Sequence, residues 1–526
     1  MNDLLVTLRK NQTRLITIAI LVVLFVMAVG GMSTKDWVIT TLRGLSVGAV
    51  IFLVAAGFSI ILGLMGVLNL AQGTLYMIGA YVGWSVYVRP DTFVDIVTPL
   101  ALISAGLLLQ PLWARWLGRL SLPRRVARIW PWIALLLGIV LLVFVVARMP
   151  LAMWDAENYS DSPIVWDQAF GAGQVSARVQ PAEWEGLPPL VGLAALLVGG
   201  ALVSAALAGF AHQGVAGVGA WRLPWRTLAI ILVLVVVGLG AYLANDALTT
   251  FLFEINRNLL FLLALVVAAL VGGGLGALME ATLIRPLYER HTYQIMLTFG
   301  LSFVGIELVR AIWGRQGFTM PRPPLFAGTG EGCPATSLAG WLQYQCSTIQ
   351  VTIGGEATRI RTYNELFVPL IGLIALVSVW ILLQRTRLGM IIRAGVQDSE
   401  MVEALGINVR QVFTLVFGLG VMIAALGGIV SGPSTGLSAG MGETLLLGAL
   451  VALAVGGLTS YPGAALGAVI VGLVQQFVIK YGQIGIKLPF VEEPFKPTPP
   501  LVPASVVLLM IIILVVMPHG LLGRRE

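Results

Sequence analysis

Most apolar residues in this chain run on for about twenty positions at a time between short polar stretches. A helix needs about 20 apolar residues to cross a bilayer. The pattern therefore predicts about fourteen apolar segments, with cores near 15–32, 44–64, 66–88, 97–116, 129–147, 189–210, 227–245, 258–283, 294–313, 366–384, 412–431, 443–459, 463–480 and 501–518. Glycine is dense in 66–88 and in 443–480, so broken or re-entrant helices are expected there. The fold class this gives is an all-α polytopic membrane protein.

Loop charge orders the segments, because arginine and lysine accumulate on the cytoplasmic side. The loop after the fourth segment holds Arg119, Arg124, Arg125 and Arg128, with Arg115 at its edge and no acid. Further arginines follow the sixth segment (Arg222, Arg226), the eighth (Arg285, Arg290) and the tenth (Arg385, Arg387, Arg393, Arg410), and the chain ends Arg524-Arg525 before Glu526. All of these fall inside if both termini are cytoplasmic. Loop 149–188, with Asp155, Glu157, Asp161, Asp167, Glu183 and Glu185 against Arg178 alone, then falls outside. The other long outer loop, 314–365, carries Arg315, Arg322, Arg359 and Arg361 in excess of its acids, but long loops cross largely regardless of charge. The run Leu15 to Met32 follows Arg9, Lys10 and Arg14 without a cleavage signature, and reads as a first membrane helix rather than a signal peptide.

Composition narrows the function. Only 11% of the 526 residues are charged and 58% are hydrophobic, against about 25% charged in a soluble domain. The surplus of 32 Lys+Arg over 25 Asp+Glu sits in short loops, which speaks for topology and against a nucleic-acid partner. Cys333 and Cys346 are the only cysteines and share the outer loop 314–365, where oxidation is permitted. A local disulfide is expected; two free thiols are the alternative. The three histidines, His212, His291 and His519, each stand at a segment edge, in no metal-binding or nucleophile-elbow pattern. No G-x-x-x-x-G-K-[ST] pattern occurs, so the chain is not expected to bind ATP through a Walker site of its own, and no constellation points to a metal, cofactor or catalytic role. Gly272, Gly273, Gly274 and Gly276 lie inside an apolar run, where close helix packing explains them better than phosphate binding.

Polar residues interrupt the apolar runs in two places. Asn69, Gln72, Gly73, Thr74 and Tyr76 fall at membrane depth, and a second glycine-broken zone runs from Gly427 to Glu443. Paired broken helices in two halves of a membrane protein point to a midplane substrate site. Small-residue packing is the competing reading, since Gly44/Gly48, Gly79/Gly83, Gly272/Gly276 and Gly463/Gly467 are all spaced as GxxxG.

The loop 385–411 carries the most information. From Asp398 to Leu405 it predicts a short helix on the membrane surface, capped by Asp398 and stopped by Gly406. Met401, Ala404 and Leu405 share one face, and Glu400 and Glu403 another. Such a helix suits docking into a groove on a soluble partner, with an inert amphipathic loop as the alternative.

Glu400-Met-Val followed three residues later by Gly406 resembles the E-A-A-x-x-x-G loop of bacterial ABC importer permeases, with both alanines replaced. The run Arg387-Leu-Gly389, Arg393-Ala394, Asp398 and Leu405-Gly406-Ile407-Asn408-Val-Arg410 resembles, more specifically, the branched-chain amino-acid permeases. So do Gly66-Val-Leu-Asn69-Leu-Ala-Gln72-Gly73, Arg285-Pro286-Leu287, Tyr461-Pro462-Gly463-Ala464 with Gly467, and Met517-Pro518-His519-Gly520-Leu-Leu-Gly523-Arg524. The likeness covers about 41–91 and 258–526. It implies a permease core in two parts, 1–91 and 255–526, around an inserted region 92–254 with about four membrane helices and an acidic outer loop. It also implies a transport subunit without catalysis or cofactor in a bacterial plasma (inner) membrane. Its partners would be a second related permease, two cytoplasmic ATPase subunits and an extracytoplasmic solute-binding protein. Arg387, Asp398, Glu400, Met401, Glu403, Ala404, Leu405, Gly406, Ile407 and Asn408 would then receive the ATPase, while Asn69, Gln72, Gly73, Thr74 and Tyr76 border the substrate pathway. Gln72 stands where the family usually has histidine, and the insert has no counterpart in its compact members. Urea and short amides are carried by the same family. An ion-coupled carrier would instead need buried titratable groups, for which the segments offer Glu280, Glu307 and Glu443 near their ends.

Overall fold

The structure, a computed structural model, describes residues 30–117, 123–151, 184–212, 225–288, 290–397, 399–486 and 494–523, with isolated residues at 23, 26, 162, 165, 166 and 169. The first apolar run therefore lies almost wholly outside the described residues. So do Arg119, Arg222, Asp398, Arg524 and Arg525, and, of the acids in loop 149–188, all but Glu185.

Each of the other thirteen apolar segments carries a helix. In chain order these begin with α1 (Thr34–Met65) and α2 (Gln72–Val88). Then come α3 (Pro90–Leu107), α4 (Gln110–Leu117), α5 (Arg124–Val146), α6 (Pro189–His212), α7 (Trp225–Leu243) and α8 (Asn245–Glu254). The chain continues with α9 (Arg257–Met279), α10 (His291–Trp313), α11 (Leu338–Tyr344), strands β1 (Thr348–Ile353) and β2 (Glu356–Arg361), and α12 (Val368–Arg385). It closes with α13 (Arg387–Gln397), α14 (Ser399–Ala404), α15 (Val409–Thr435), α16 (Met441–Gly456), α17 (Tyr461–Ile484) and α18 (Leu501–Val516).

Among the described residues nine helices are long and apolar enough to cross a membrane, and the pair α7–α8, bent by 75°, is a tenth if taken together. The chain is an all-α polytopic membrane protein. The sequence count of about fourteen exceeds this because some apolar runs fold into shorter helices. At 16 residues each, α16 and α18 rise about 24 Å, short of the roughly 30 Å hydrocarbon thickness. The glycine-dense zones break as well: residues 66–71 are unwound ahead of α2, and 457–460 separate α16 from α17.

The chain divides into two compact units, residues 1–84 with 257–526 and residues 85–256. In the first, α1 is the central helix. Every residue from Ile51 to Ile61 is buried, which requires neighbours on all sides, and α12, α15, α16 and α17 supply them. Lys480 on α17 pairs with Asp36 in the first turn of α1 at 2.7 Å. Between α10 and α12 the strands β1 and β2 form an antiparallel hairpin from Thr348↔Arg361 to Ile353↔Glu356. Gly354 and Gly355 both take positive φ in its two-residue turn, the backbone a tight hairpin demands. Cys333 and Cys346 are joined by a disulfide beside this hairpin, where Ala335 pairs with Ile349.

The second unit has its own core. Helix α6 packs on α3, α4 and α5, and α3 in turn holds α7 and α8. Leu102, Val145, Met149, Leu193 and Leu196 meet inside it. Two buried polar pairs accompany them, Arg89 with Asp91 at 2.8 Å and Asn245 with Asp95 at 2.6 Å.

The glycine cluster in α9 allows a direct test of the packing reading. A Cβ added at Gly272 would stand 2.3 Å from Ala425 Cβ on α15, whereas one at Gly274 meets nothing within 4 Å. Overpacking costs about 1–3 kcal/mol. Gly272→Val is expected to lower the thermal midpoint of the detergent-solubilised protein by several degrees, and Gly274→Val to leave it unchanged or slightly higher. Equal effects of the two would remove the packing explanation.

Candidate functional site

Helix α1 ends at Gly66, whose φ of +66° turns the chain out of the helix and into the unwound residues before α2. Unwound backbone and amide side chains at this depth need partners within the protein. Asn69 Oδ1 accepts from the Ala71 amide at 3.1 Å, and Asn69 Nδ2 donates to Gln72 Oε1 at 3.0 Å. Gln72 Nε2 donates to the carbonyl of Gly420 on α15 at 2.9 Å. The Leu70 amide donates to Thr298 Oγ1 on α10 at 3.2 Å, and the Thr74 and Ser302 hydroxyls share a hydrogen bond of 2.6 Å. At Gly73 an added Cβ would stand 2.4 Å from the carbonyl of Gly442. Tyr76 bonds Ser431 on α15 through its hydroxyl. The structure thus brings Asn69, Gln72, Gly73, Thr74 and Tyr76 together as buried groups that join α2 to α10, α15 and the start of α16.

Of these five, Tyr76 also borders a cavity of about 360 Å³. Its wall is formed by α1, the π-helical turn 362–367, the last turn of α15, and parts of α16 and α17. Arg43 Nε donates to Glu365 Oε1 at 3.0 Å, and Glu365 Oε2 accepts from the Arg361 amide at 2.9 Å. Glu365 is buried, with 1% of its side chain exposed, while the Arg43 side chain is 47% exposed. Ser434 donates to Asn364 Oδ1 at 3.0 Å. Sequence reasoning passed over Arg43 and Glu365 because each stands one residue before a predicted apolar core, at 44 and at 366, where a charge reads as a loop residue. A second cavity of about 500 Å³, walled by Phe261, Phe326, Trp341 and Phe367, is almost wholly apolar.

The loop 385–411 folds as two short helices. Arg387 opens α13 and is exposed. In α14, Val402 is buried while Met401 is 64% exposed and the following Leu405 75% exposed; Glu403 and Ala404 are exposed as well. The Gly406 amide donates to the Glu403 carbonyl at 2.9 Å and the Ile407 amide to Val402 at 3.3 Å. Gly406 has φ +82°, and an added Cβ there would meet nothing within 4 Å. Ile407 is half-buried, and Asn408 caps α15 by accepting from the Gln411 amide at 3.3 Å. Asp398 and the side chain of Glu400 lie outside the described residues.

A cluster around Thr414, just after that loop, fixes the base of α15. Glu280 is fully buried in a π-helical turn at the end of α9. Its carboxylate accepts from Arg285 Nε at 3.2 Å and Nη2 at 2.9 Å, from Thr414 Oγ1 at 2.6 Å, and from the Tyr288 hydroxyl. Burial, together with the bond to the Glu280 carboxylate, pushes the Tyr288 hydroxyl well above its ordinary range. The Arg285-Pro286-Leu287 signature thus supplies the cation that neutralises a buried acid. Among the described residues no group of three histidine, cysteine, aspartate or glutamate side chains could hold a metal.

Comparison with known proteins joins these features to a family. The chain matches the family described as "Branched-chain amino acid transport system / permease component" over residues 40–216 and 190–517. The high-affinity branched-chain amino acid transport system permease protein LivH of Escherichia coli (strain K12) is 29% identical over 172 residues, 31% of this chain and 49% of that protein. Its counterpart in Salmonella typhimurium gives the same figures. Permease protein BraD of Pseudomonas aeruginosa is 25% identical over 179 residues, 32% of this chain and 50% of that protein. The chain spans about half the length of the curated relatives it matches. No solved structure matches it. With the family match running over most of its length, the chain belongs to the branched-chain amino acid transport system permease family.

Proposed function

We propose that this protein is the membrane-spanning permease subunit of an ATP-driven ABC importer for branched-chain amino acids. The observation that carries the reading is α14. It holds Val402 in the protein while presenting Met401 and Leu405 to the surroundings, and it ends on a left-handed glycine. A short helix anchored on one side and apolar on the other is suited to a groove on a soluble ATPase. Two such ATPases, a second related permease and an extracytoplasmic solute-binding protein complete the assembly. ATP is hydrolysed by those partners, and this chain is a transport subunit in a bacterial plasma membrane.

The arginine-bearing loops support a cytoplasmic position for α14 and for both termini. Tags at 120–126 are then cytoplasmic and tags at 155–185 external; the reverse, or both on one side, defeats this orientation. An ion-coupled carrier is disfavoured because, of the three candidate acids, Glu280 is held by Arg285, Glu307 by Arg310 at 2.6 Å, and Glu443 is exposed rather than buried. Urea and short amides are the runner-up solutes, since uncharged hydrogen-bonding groups such as Tyr76 and Ser431 suit them equally.

Two variants of the docking loop test the mechanism. A β-branched residue in the left-handed region costs on the order of 1 kcal/mol or more, whereas asparagine adopts it readily. Space around Gly406 is open, so only the backbone cost separates its variants. Gly406→Val and Ala404→Arg are expected to abolish stimulation of ATP hydrolysis by loaded binding protein in reconstituted vesicles, and Gly406→Asn to keep most of it. Full stimulation in the first two returns residues 398–408 to an ordinary loop. Leucine uptake that survives deletion of the ATPase would exclude an ABC importer altogether.

Gln72 has a different expected signature. Gln72→Leu strips the Asn69 amide and the Gly420 carbonyl of their partner, at a cost of about 1 kcal/mol for an interhelical bond in a membrane. Transport should fall, and the thermal midpoint of the purified protein should fall with it. Lost transport at an unchanged midpoint would instead assign Gln72 to the solute itself.

A further inference from the structure

The cavity bordered by Tyr76 has a division of charge that its neighbours do not explain. Arg43 gives Nε to Glu365, and among the described residues its two terminal nitrogens have no partner. A guanidinium held by one edge, half-exposed and beside a cavity, is set up to grip a carboxylate through its other donors. Glu365 is a poor opposite pole, because its side chain is buried and each of its oxygens already accepts a bond. Its part is to aim Arg43. The negative pole comes from α15, whose C-terminal turn borders the same cavity through Ser431, Ser434 and Thr435. A helix C-terminus carries a partial negative charge, and Ser434 gives its proton to Asn364, which leaves its lone pairs to accept. Val47, Val50 and Leu445 line the same cavity.

We infer that this cavity is a site for a zwitterionic branched-chain amino acid, with its carboxylate on the terminal nitrogens of Arg43. The ammonium group lies toward the C-terminal turn of α15 and the side chain against Val47, Val50 and Leu445. At about 360 Å³ the cavity is at the small end of ligand sites, which suits one amino acid. It lies at the far end of α15 from the docking loop, and hence on the outer side if that loop is cytoplasmic. The choice of a branched amino acid rests on the importer reading; the bipolar recognition rests on the cavity alone.

The test uses a single new thiol in the full chain. Cys333 and Cys346 are bonded to each other, so Val47→Cys, with Val50→Cys as a second reporter, is the one reactive cysteine of this chain in membranes that hold it without its partners. Saturating L-leucine is expected to slow its alkylation by a polar maleimide about fivefold or more, the factor 1 + [L]/Kd several times above Kd. Isopentylamine, which lacks the carboxylate, and isocaproate, which lacks the ammonium, should each give little protection. Adding Arg43→Gln removes the leucine effect. The exchanged pair Arg43→Glu with Glu365→Arg re-forms the ion pair with its sense reversed, and should not bring protection back. Recovery in the exchanged pair would show that the charges only hold helices together, and would overturn the site. So would equal labelling with and without leucine in both reporters, equal protection by the amine and the acid, or protection by acetamide but not leucine. No ATP or partner subunit enters the labelling, so failure of the site and failure of the importer reading are read apart.

Discussion

Hydrocarbon offers no partner to a polar group, so a polar group inside a membrane protein is costly unless the protein itself supplies one. In this chain that constraint converges on one helix, α15. Thr414 near its start is tied to Glu280, Gly420 in its first half to Gln72, Val430 to the Tyr363 hydroxyl at 2.8 Å, Ser431 to Tyr76, and Ser434 to Asn364. Glycines on either side let neighbouring helices come near enough to form these bonds. At Gly428 an added Cβ would stand 2.0 Å from the Tyr76 carbonyl. Removing any one of the bonds leaves a polar group stranded, so the helix is fixed along its length by a penalty more than by an attraction.

That arrangement links the two features proposed as functional. With 27 residues α15 is about 40 Å long. It starts just after its cap Asn408 and ends at the cavity beside Arg43. Glu280, Arg285 and Thr414 hold its base to α9, so a displacement of α14 acts on a braced helix instead of dissipating in a loop. The second unit contributes neither to the docking loop nor to the lining of this cavity, since residues 85–256 supply no part of either.

The spans were legible because a run of twenty apolar residues has one stable solution in a bilayer. Their lengths were less so, since hydropathy does not register where a helix such as α16 stops at a glycine. The hairpin was overlooked although Thr348-Ile-Gln-Val-Thr-Ile, Gly354-Gly355 and Glu356-Ala-Thr-Arg-Ile-Arg carry the period-two pattern and turn of one. Asn69, Gln72, Thr74 and Tyr76 stood out as polar residues in apolar surroundings, but their partners did not. Gln72 meets Gly420 across 348 positions, a pairing that no local pattern announces. Arg43 and Glu365 escaped because charges at the edges of apolar runs look like loop charges until folding brings them together.

The central claim is that α14 seats in an ATPase subunit, and proximity measures that most directly. With both natural cysteines bonded, Leu405→Cys is a single reactive site that can carry a short thiol-to-amine cross-linker in membranes holding the whole transporter. The account predicts an adduct between this chain and the ATPase from Leu405→Cys, and none from Val402→Cys, whose side chain points into the protein. An adduct missing at Leu405, or formed equally well from a cysteine placed in the β1–β2 hairpin, would contradict it.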